Sequence, residues 1–235
     1  MQTLIVIFIS LVVALNPESL TSQATIIDEG TFIIEIEGRI MGTESFKIRS
    51  AGSGAELRTI AQGDLVLSTD KVTETVQSAL GTLGPTMSIQ AYQTRILPSN
   101  LEINLQRRNN RLIAITSSDL YVEEREYRRL SSRTPTIILD QYFAHHYFLV
   151  LPHQFTESEE ITAVFPRTGE QIPANLSLGL VEPISLGDTL IQAQYMQLNV
   201  GGVIHRIWTD GQNRILRVEI PEKDYVAYRS PVPEN

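Results

Sequence analysis

The sequence contains no cysteine among its 235 residues. A disulfide framework, a thiolate zinc site, a cysteine nucleophile and a lipid-modified N-terminal cysteine are therefore all excluded. Basic residues are also scarce, since 19 Lys and Arg face 27 Asp and Glu and leave a net charge of −8. That balance argues against a nucleic-acid-binding protein and against adsorption to anionic membrane surfaces. The hydrophobic content of 42% is ordinary and excludes wholesale disorder.

Local catalytic motifs are missing as well. The chain has no G-x-x-x-x-G-K-[ST] phosphate loop, no G-x-G-x-x-G, no G-x-S-x-G, no H-E-x-x-H and no Asp-rich calcium loop. We therefore assign no catalytic residue, no metal ligand and no cofactor from the sequence. The interpretation leans towards a protein that is not an enzyme.

Only the N-terminus carries a long apolar run. Residues 4–15 are uncharged and apolar, which is too short for a bilayer span of about 20 residues but suits the core of a signal peptide. Small residues precede a cleavage point after Ala24. The sequence thus predicts export to the periplasm or the extracellular space, with residues 1–24 as a signal peptide and 25–235 as a single antiparallel β domain. An uncleaved membrane anchor and a buried N-terminal element of a cytosolic domain are the alternatives.

Alternation of apolar and polar residues predicts antiparallel strands through most of the chain. Phe32, Ile34 and Ile36 share one face of the first strand, and Phe46 and Ile48 share one face of the second. The predicted fold is mainly β, with a single large curved antiparallel sheet that forms a half-barrel or cradle and carries one short helix. Further strands are predicted at residues 56–62, 87–95, 101–107, 112–116, 161–167, 172–180, 203–209, 214–220 and 225–229.

Two stretches are harder to assign. Residues 71–80 have apolar positions that would line one face of a helix, but their β-branched residues and strand-like neighbours favour a strand. Residues 139–149 contain neither Gly nor Pro and repeat Phe143, Tyr147 and Val150 at helical spacing. This second stretch is the predicted helix.

A group of histidines and carboxylates surrounds that helix and supplies an alternative function, a metal-dependent hydrolase. Two observations argue against it: adjacent residues on a helix point about 100° apart, and no i, i+4 pairing is present. The preferred interpretation places one of the adjacent histidines under the sheet and the other in solvent. The group consists of His145, His146 and His153, with Asp140, Glu157, Glu159 and Glu160 nearby.

Two further residues carry a functional and a structural interpretation. His205 lies in a predicted strand and is interpreted as an ordinary strand residue. Trp208, the only tryptophan, stands near the turn of the last long hairpin. A place in the core or at the lip of the sheet is favoured for it over a platform on which a ligand stacks.

A curved sheet that its helix covers incompletely leaves an apolar cavity, which suits an acyl chain or an apolar peptide. The leading hypothesis is an exported, non-enzymatic protein that binds a lipid, another apolar ligand or an envelope protein on its concave face. Contact with a membrane is expected only through the N-terminal segment, if that segment is not cleaved. A purely structural envelope component is a third hypothesis, and a filled sheet interior would favour it.

Four stretches resemble exported bacterial proteins of unknown function. They are Gly30-Thr31-Phe32 with Gly42-Thr43-Glu44-Ser45-Phe46, the segment from Leu139-Asp140-Gln141 to His145-His146-Tyr147, and the closing run from Trp208 to Pro221. Such proteins look similar in architecture to periplasmic lipoprotein-localisation factors, whose curved antiparallel sheet holds lipid chains under helices. The resemblance implies a cradle with a non-catalytic binding role, and it assigns no functional residue.

Overall fold

A computed structural model describes residues 24–68, 72–127, 134–153 and 158–233. In that part of the chain fifteen strands form one continuous curved sheet, which confirms the predicted fold class. All neighbouring strands are antiparallel except β9 and β10, which are parallel. The strands are β1 (Thr25–Ile36), β2 (Arg39–Ala51), β3 (Arg58–Ser68), β4 (Thr73–Leu83), β5 (Ser88–Leu97), β6 (Leu101–Arg108), β7 (Arg111–Ser117), β8 (Val122–Tyr127), β9 (Thr136–Ile138), β10 (Ser158–Phe165), β11 (Glu170–Leu186), β12 (Thr189–Val200), β13 (Val203–Thr209), β14 (Ile215–Ile220) and β15 (Tyr225–Arg229).

The strand order is β8-β7-β6-β5-β4-β3-β2-β1-β15-β14-β13-β12-β11-β10-β9. Two antiparallel meanders, β1 to β8 and β10 to β15, therefore meet where the first strand pairs with the last, and β9 lies parallel to β10 at the margin of the sheet. Because strand direction alternates, the turns fall at two ends of the sheet. We call the end at which β1 finishes the upper end and the end at which it begins the lower end.

The sheet curls until its two margins approach each other. Tyr92 on β5 and Arg167, just after β10, both contact Asp140, although β5 and β10 are the fourth and fourteenth strands in the order. Arg125 on β8 also donates a hydrogen bond to the carbonyl oxygen of Gly169, at 3.0 Å. The inward side chains of nearly every strand consequently share one core. Phe32, Ile34, Phe46 and Ile48 are among them, as their alternation predicts.

Residues 139–151, which we call the plug, run through the interior of this half-barrel from the upper to the lower end. The predicted helix lies here, but it is a 3-10 helix over His145–His153 and not an α-helix over residues 139–149. Turns occupy the residues before it, and the helix includes Pro152. Phe143, Tyr147 and Val150 are all at most 4% exposed. Their spacing reflects burial on every side, so it does not mark one face of an α-helix.

The ambiguous stretch 71–80 is a strand from Thr73 onwards, as favoured, while residue 71 lies outside the described residues. The strand predicted at residues 56–62 begins two residues later, after a 3-10 helix at Gly54–Glu56. The predicted signal segment falls outside the described residues up to residue 23. Within the described ranges, no helix combines the length and apolar character needed to cross a membrane.

Candidate functional site

Glu44, on an inward position of β2, holds the plug from one side. Its carboxylate is fully buried and accepts hydrogen bonds from the backbone N–H groups of Ala144, at 2.6 Å, and His145, at 3.1 Å. The Nδ1 atom of the His145 ring contacts the same carboxylate. Because a carboxylate only accepts hydrogen bonds, this contact assigns the ring proton to Nδ1. Glu44 thus satisfies the two backbone donors where the 3-10 helix begins.

Gly63 on β3 makes room for the His145 ring. A Cβ atom at this position would lie 2.5 Å from Cε1 and 3.0 Å from Nδ1 of His145, and 3.1 Å from Cε1 of Phe143. Phe46 stacks on the other side of the imidazole, with ring centroids 5.7 Å apart and planes inclined by 7°. The ring therefore has no free space into which it can move.

The Gly63→Ala variant is expected to lower the free energy of unfolding by about 1–3 kcal/mol, because the added methyl group overpacks this part of the core. Gly81→Ala is the matched control, since Gly81 lies on the adjacent strand β4 and its Cβ would meet nothing within 4 Å. Urea unfolding of both variants measures the difference. Equal effects at the two positions would show that the His145 ring is not confined in this way.

Asp140 anchors the upper end of the plug. Its carboxylate accepts hydrogen bonds from the Gln141 backbone N–H, at 2.7 Å, from the Tyr92 hydroxyl and from Nε of Arg167. Burial and the negative charge of Asp140 raise the pKa of Tyr92 well above its ordinary value, so the phenol stays protonated and keeps donating. Asp140 is 5% exposed, and both oxygens of its carboxylate accept hydrogen bonds from other residues of the chain.

His146 is oriented by the backbone of this anchor. Its Nδ1 atom accepts a hydrogen bond from the Asp140 backbone N–H at 3.1 Å, which places the ring proton on Nε2. The ring stacks on Phe143 at 5.0 Å and meets the edge of Tyr92. Burial is the main reason that the pKa of His146 lies well below its ordinary value, and the neighbouring His145 and Arg167 act in the same direction. The imidazole is therefore neutral.

The predicted split between one buried and one exposed histidine is wrong, because both rings are buried. Their centroids are 4.5 Å apart, but each ring has its own partner in the fold. His153 belongs to the 3-10 helix, and its side chain lies outside the described residues. Among the side chains that are described, no three histidine or carboxylate groups converge in a way that could hold a metal ion.

His205 is more than an ordinary strand residue. It points inward from β13, and its Nδ1 atom lies 2.6 Å from the hydroxyl of Tyr147 on the plug. Burial, with a smaller effect of the positive charge of Lys223, lowers the pKa of His205 to about 4, although Glu222 acts in the opposite direction. A neutral imidazole on β13 and a neutral phenol on the plug therefore face each other.

Beside this pair lies a cavity of about 170 Å³ at the upper end, between the plug and strands β10 to β15. Its wall is mostly aliphatic and aromatic, with six polar or charged side chains among the sixteen that line it. The lining residues are Leu139, Asp140, Gln141, Tyr142, Phe143, Tyr147, Phe165, Thr168, Glu170, Ile172, Val200, Val203, His205, Ile220, Lys223 and Tyr225.

Trp208 takes the structural place that was favoured for it. It is 7% exposed and packs on the outer face of the sheet in a small cluster with Tyr195, Leu216 and residues of the β11–β12 hairpin. Its indole N–H donates a hydrogen bond to Glu182 at 2.6 Å. The indole is consequently unavailable as a stacking platform.

Sequence reasoning missed Glu44 and Tyr92, although one signal was present for the first of them. Glu44 has the same parity as Phe46 and Ile48, which places a carboxylate on the apolar face of β2. A charged residue on the inward face of a strand needs a buried partner. Tyr92 carried no comparable signal, because a tyrosine on a strand face is common in cores.

Comparison with known proteins shows the fold and no more. No protein-family model matches the sequence, and no curated protein matches it either. Among solved structures, the chain is similar to a crystal structure described as a beta-barrel-like protein of domain of unknown function DUF1849 from Brucella abortus. The TM-score is 0.53 at 7% sequence identity, over 85% of this chain and 93% of that chain. The chain thus shares its fold with a bacterial protein of unknown function.

Proposed function

We propose that the protein is an exported, non-enzymatic binding protein of the bacterial envelope that takes an apolar group into the upper cavity. The single observation that carries the proposal is the cavity of about 170 Å³ beside the Tyr147–His205 pair. Ten of the sixteen lining side chains are aliphatic or aromatic and the other six are polar or charged, and a mainly apolar wall with some polar groups is the usual composition of a binding pocket. The apolar run of residues 4–15 supports export.

The size of the cavity limits what can enter. Pockets for whole small-molecule ligands measure roughly 300–1,000 Å³, whereas apolar cavities of about 150 Å³ accept benzene or xenon. A cavity of this size has no room for a long acyl chain, and the plug fills the interior next to it. The proposed occupant is a ring-sized apolar group, either a small ligand or one end of a larger ligand or partner.

The filled interior also favours a second candidate, a purely structural envelope component without a ligand. The core includes the plug, with Phe143, Phe148 and Val150 almost fully buried. In that case the upper cavity is a packing defect and has no preferred occupant. A binding measurement separates the two candidates.

The Val203→Phe variant is expected to weaken the binding of benzene and phenol at least tenfold, because the larger side chain fills the cavity that Val203 lines. Ligand-observed NMR on the full chain measures binding of both probes. Ile204→Phe is the matched control, since the next residue of β13 points to the opposite face of the sheet.

Absence of binding by the unaltered protein would favour the structural candidate, provided that the protein recovered from its own envelope is also empty by native mass spectrometry. Binding that both variants retain would place the ligand elsewhere. Binding that only Val203→Phe loses would support the proposed cavity.

A further inference from the structure

The lower end of strands β2 to β7 carries a cluster of arginines, which we call the arginine rim. Arg58 begins β3, while Arg107, Arg108 and Arg111 flank the turn between β6 and β7. Arg49 lies near the lower end of β2. Because adjacent strands are about 4.8 Å apart, the distance from β3 to β6 is only about 15 Å. The rim is therefore a compact band of positive charge.

Part of this positive charge is not neutralised by carboxylates within the described residues. Arg108 and Arg111 stand directly opposite each other in the register, and like charges in such a pair are destabilising. Arg111 has a carboxylate partner, Glu126, at 2.9 Å. Within the described residues, neither Arg108 nor Arg58 forms an ion pair, and both are exposed. The arrangement leaves an excess of cations that an anion from outside the chain would neutralise.

The rim is locally positive although the net charge of the chain is −8, because the acidic residues are distributed unevenly. Among the described residues, Glu56 and Glu126 accompany the arginines between β3 and β8 at the lower end. On the neighbouring strand β1, Asp28 pairs with Arg229 and Glu29 pairs with Lys47. Across the half-barrel, Glu159, Glu160 and Asp188 occupy the lower end of β10 and the β11–β12 turn. An anionic surface would consequently meet the protein in a tilted orientation, with β3 to β7 turned towards it.

The N-terminal part of the chain indicates which anionic surface the rim would contact. β1 begins at Thr25 at the lower end, so the chain enters the sheet on the side of the rim, and the apolar residues 4–15 precede that entry point in the sequence. Ile26 and Ile27, at the start of β1, are 46% and 45% exposed. A segment of that kind is directed to a membrane, whether it is later cleaved or kept. While the segment is still attached to the chain, the end of the sheet that follows it is the end nearest to lipid.

We propose that the arginine rim docks this protein on an anionic phospholipid surface. Each arginine near such a surface contributes attraction that falls off within a Debye length, so docking is reversible and sensitive to salt. This inference does not rest on the cavity, which opens at the opposite end of the sheet. Loss of one activity therefore leaves the other unaffected.

The test is cosedimentation of the full chain with vesicles of phosphatidylcholine alone and of phosphatidylcholine with about 30% phosphatidylglycerol. We expect stronger binding to the anionic vesicles, which is lost when the salt concentration rises from about 0.1 M to about 0.5 M. Removing rim charges with Arg58→Gln and Arg108→Gln is expected to weaken this binding about fivefold for each arginine. Comparing the two kinds of vesicle cancels any contribution of the apolar N-terminal run.

The matched control carries Arg39→Gln and Arg95→Gln, which remove the same charge from exposed arginines nearer the upper end. These changes should leave vesicle binding unaltered. Equal binding to neutral and anionic vesicles, or an equal loss in the control, would overturn the proposal. Binding to heparin without binding to anionic vesicles would also overturn it, because the partner would then be a soluble polyanion.

Discussion

Replacing Glu44 by leucine is expected to lower the free energy of unfolding by about 3–5 kcal/mol, which is the usual cost of removing one partner of a buried charged contact. The variant leaves the N–H groups of Ala144 and His145 and the imidazole Nδ1 of His145 without an acceptor in a dry interior. Urea unfolding followed by circular dichroism measures the loss.

Two comparisons show whether the loss arises from the contact with the plug. Glu29→Leu removes a carboxylate that is about half exposed and pairs with Lys47, and it should cost less than about 1 kcal/mol. Glu44→Gln keeps the shape of the side chain and one acceptor oxygen. Its loss in the free energy of unfolding should therefore lie between those of Glu44→Leu and Glu29→Leu. If Glu44→Leu were no worse than Glu29→Leu, Glu44 would not be an anchor of the plug.

The second large effect is a loss of stability in acid caused by His205. Its pKa is about 4 in the folded protein, against an ordinary value of 6.5. Between these values the unfolded chain binds a proton that the folded protein does not bind, so stability falls as the pH falls from about 6.5 to about 4. The loss attributable to this one group is about 3 kcal/mol, and it is complete below pH 4.

Comparison with the His205→Gln variant isolates this contribution. At neutral pH the variant should be less stable by about 1 kcal/mol, because the hydrogen bond with Tyr147 is weakened. Near pH 4 it should equal or exceed the original protein, since it has no imidazole to protonate. Asp28, whose pKa is raised to about 6 by burial, acts in the opposite direction over a similar pH range. Asp28 is present in both proteins, so its effect cancels in the difference.

Tyr147→Phe is the control for the hydrogen bond alone. It removes the same contact but keeps the histidine, so its stability should keep the pH dependence of the original protein. Urea midpoints between about pH 4 and pH 8 measure all three proteins. A difference between His205→Gln and the original protein that did not change with pH would show that His205 is not a buried neutral imidazole.

The strands were predictable because each of them carries its own signal. Phe32 and Ile34 on β1, and Phe46 and Ile48 on β2, alternate with polar residues, and burial of one face follows directly from that alternation. The plug was not predictable in the same way. Its apolar spacing resembles an amphipathic helix, whereas contacts with β2, β5 and β13 surround it and produce a buried 3-10 helix.

The candidate site was likewise predictable only in part. The sequence drew attention to His145 and Asp140 but not to the side chains that hold them. Glu44 lies about 100 residues from His145, and Tyr92 lies 48 residues from Asp140. Long-range contacts of this kind depend on how far the sheet curls. No local spacing encodes that curvature, so the sequence could not show that the rings of His145 and His146 have separate partners.

The sequence by itself determined a cysteine-free antiparallel β protein, because period-two alternation and turn residues act locally and repeat along the chain. It also determined the net charge of −8. Only the tertiary structure decided that the interior is filled by the chain's own plug, with a ring-sized cavity at one end and arginines gathered at the other. The reason is that curvature and strand order bring together residues that lie far apart in sequence, and neither cavity volume nor local charge density can be read from composition.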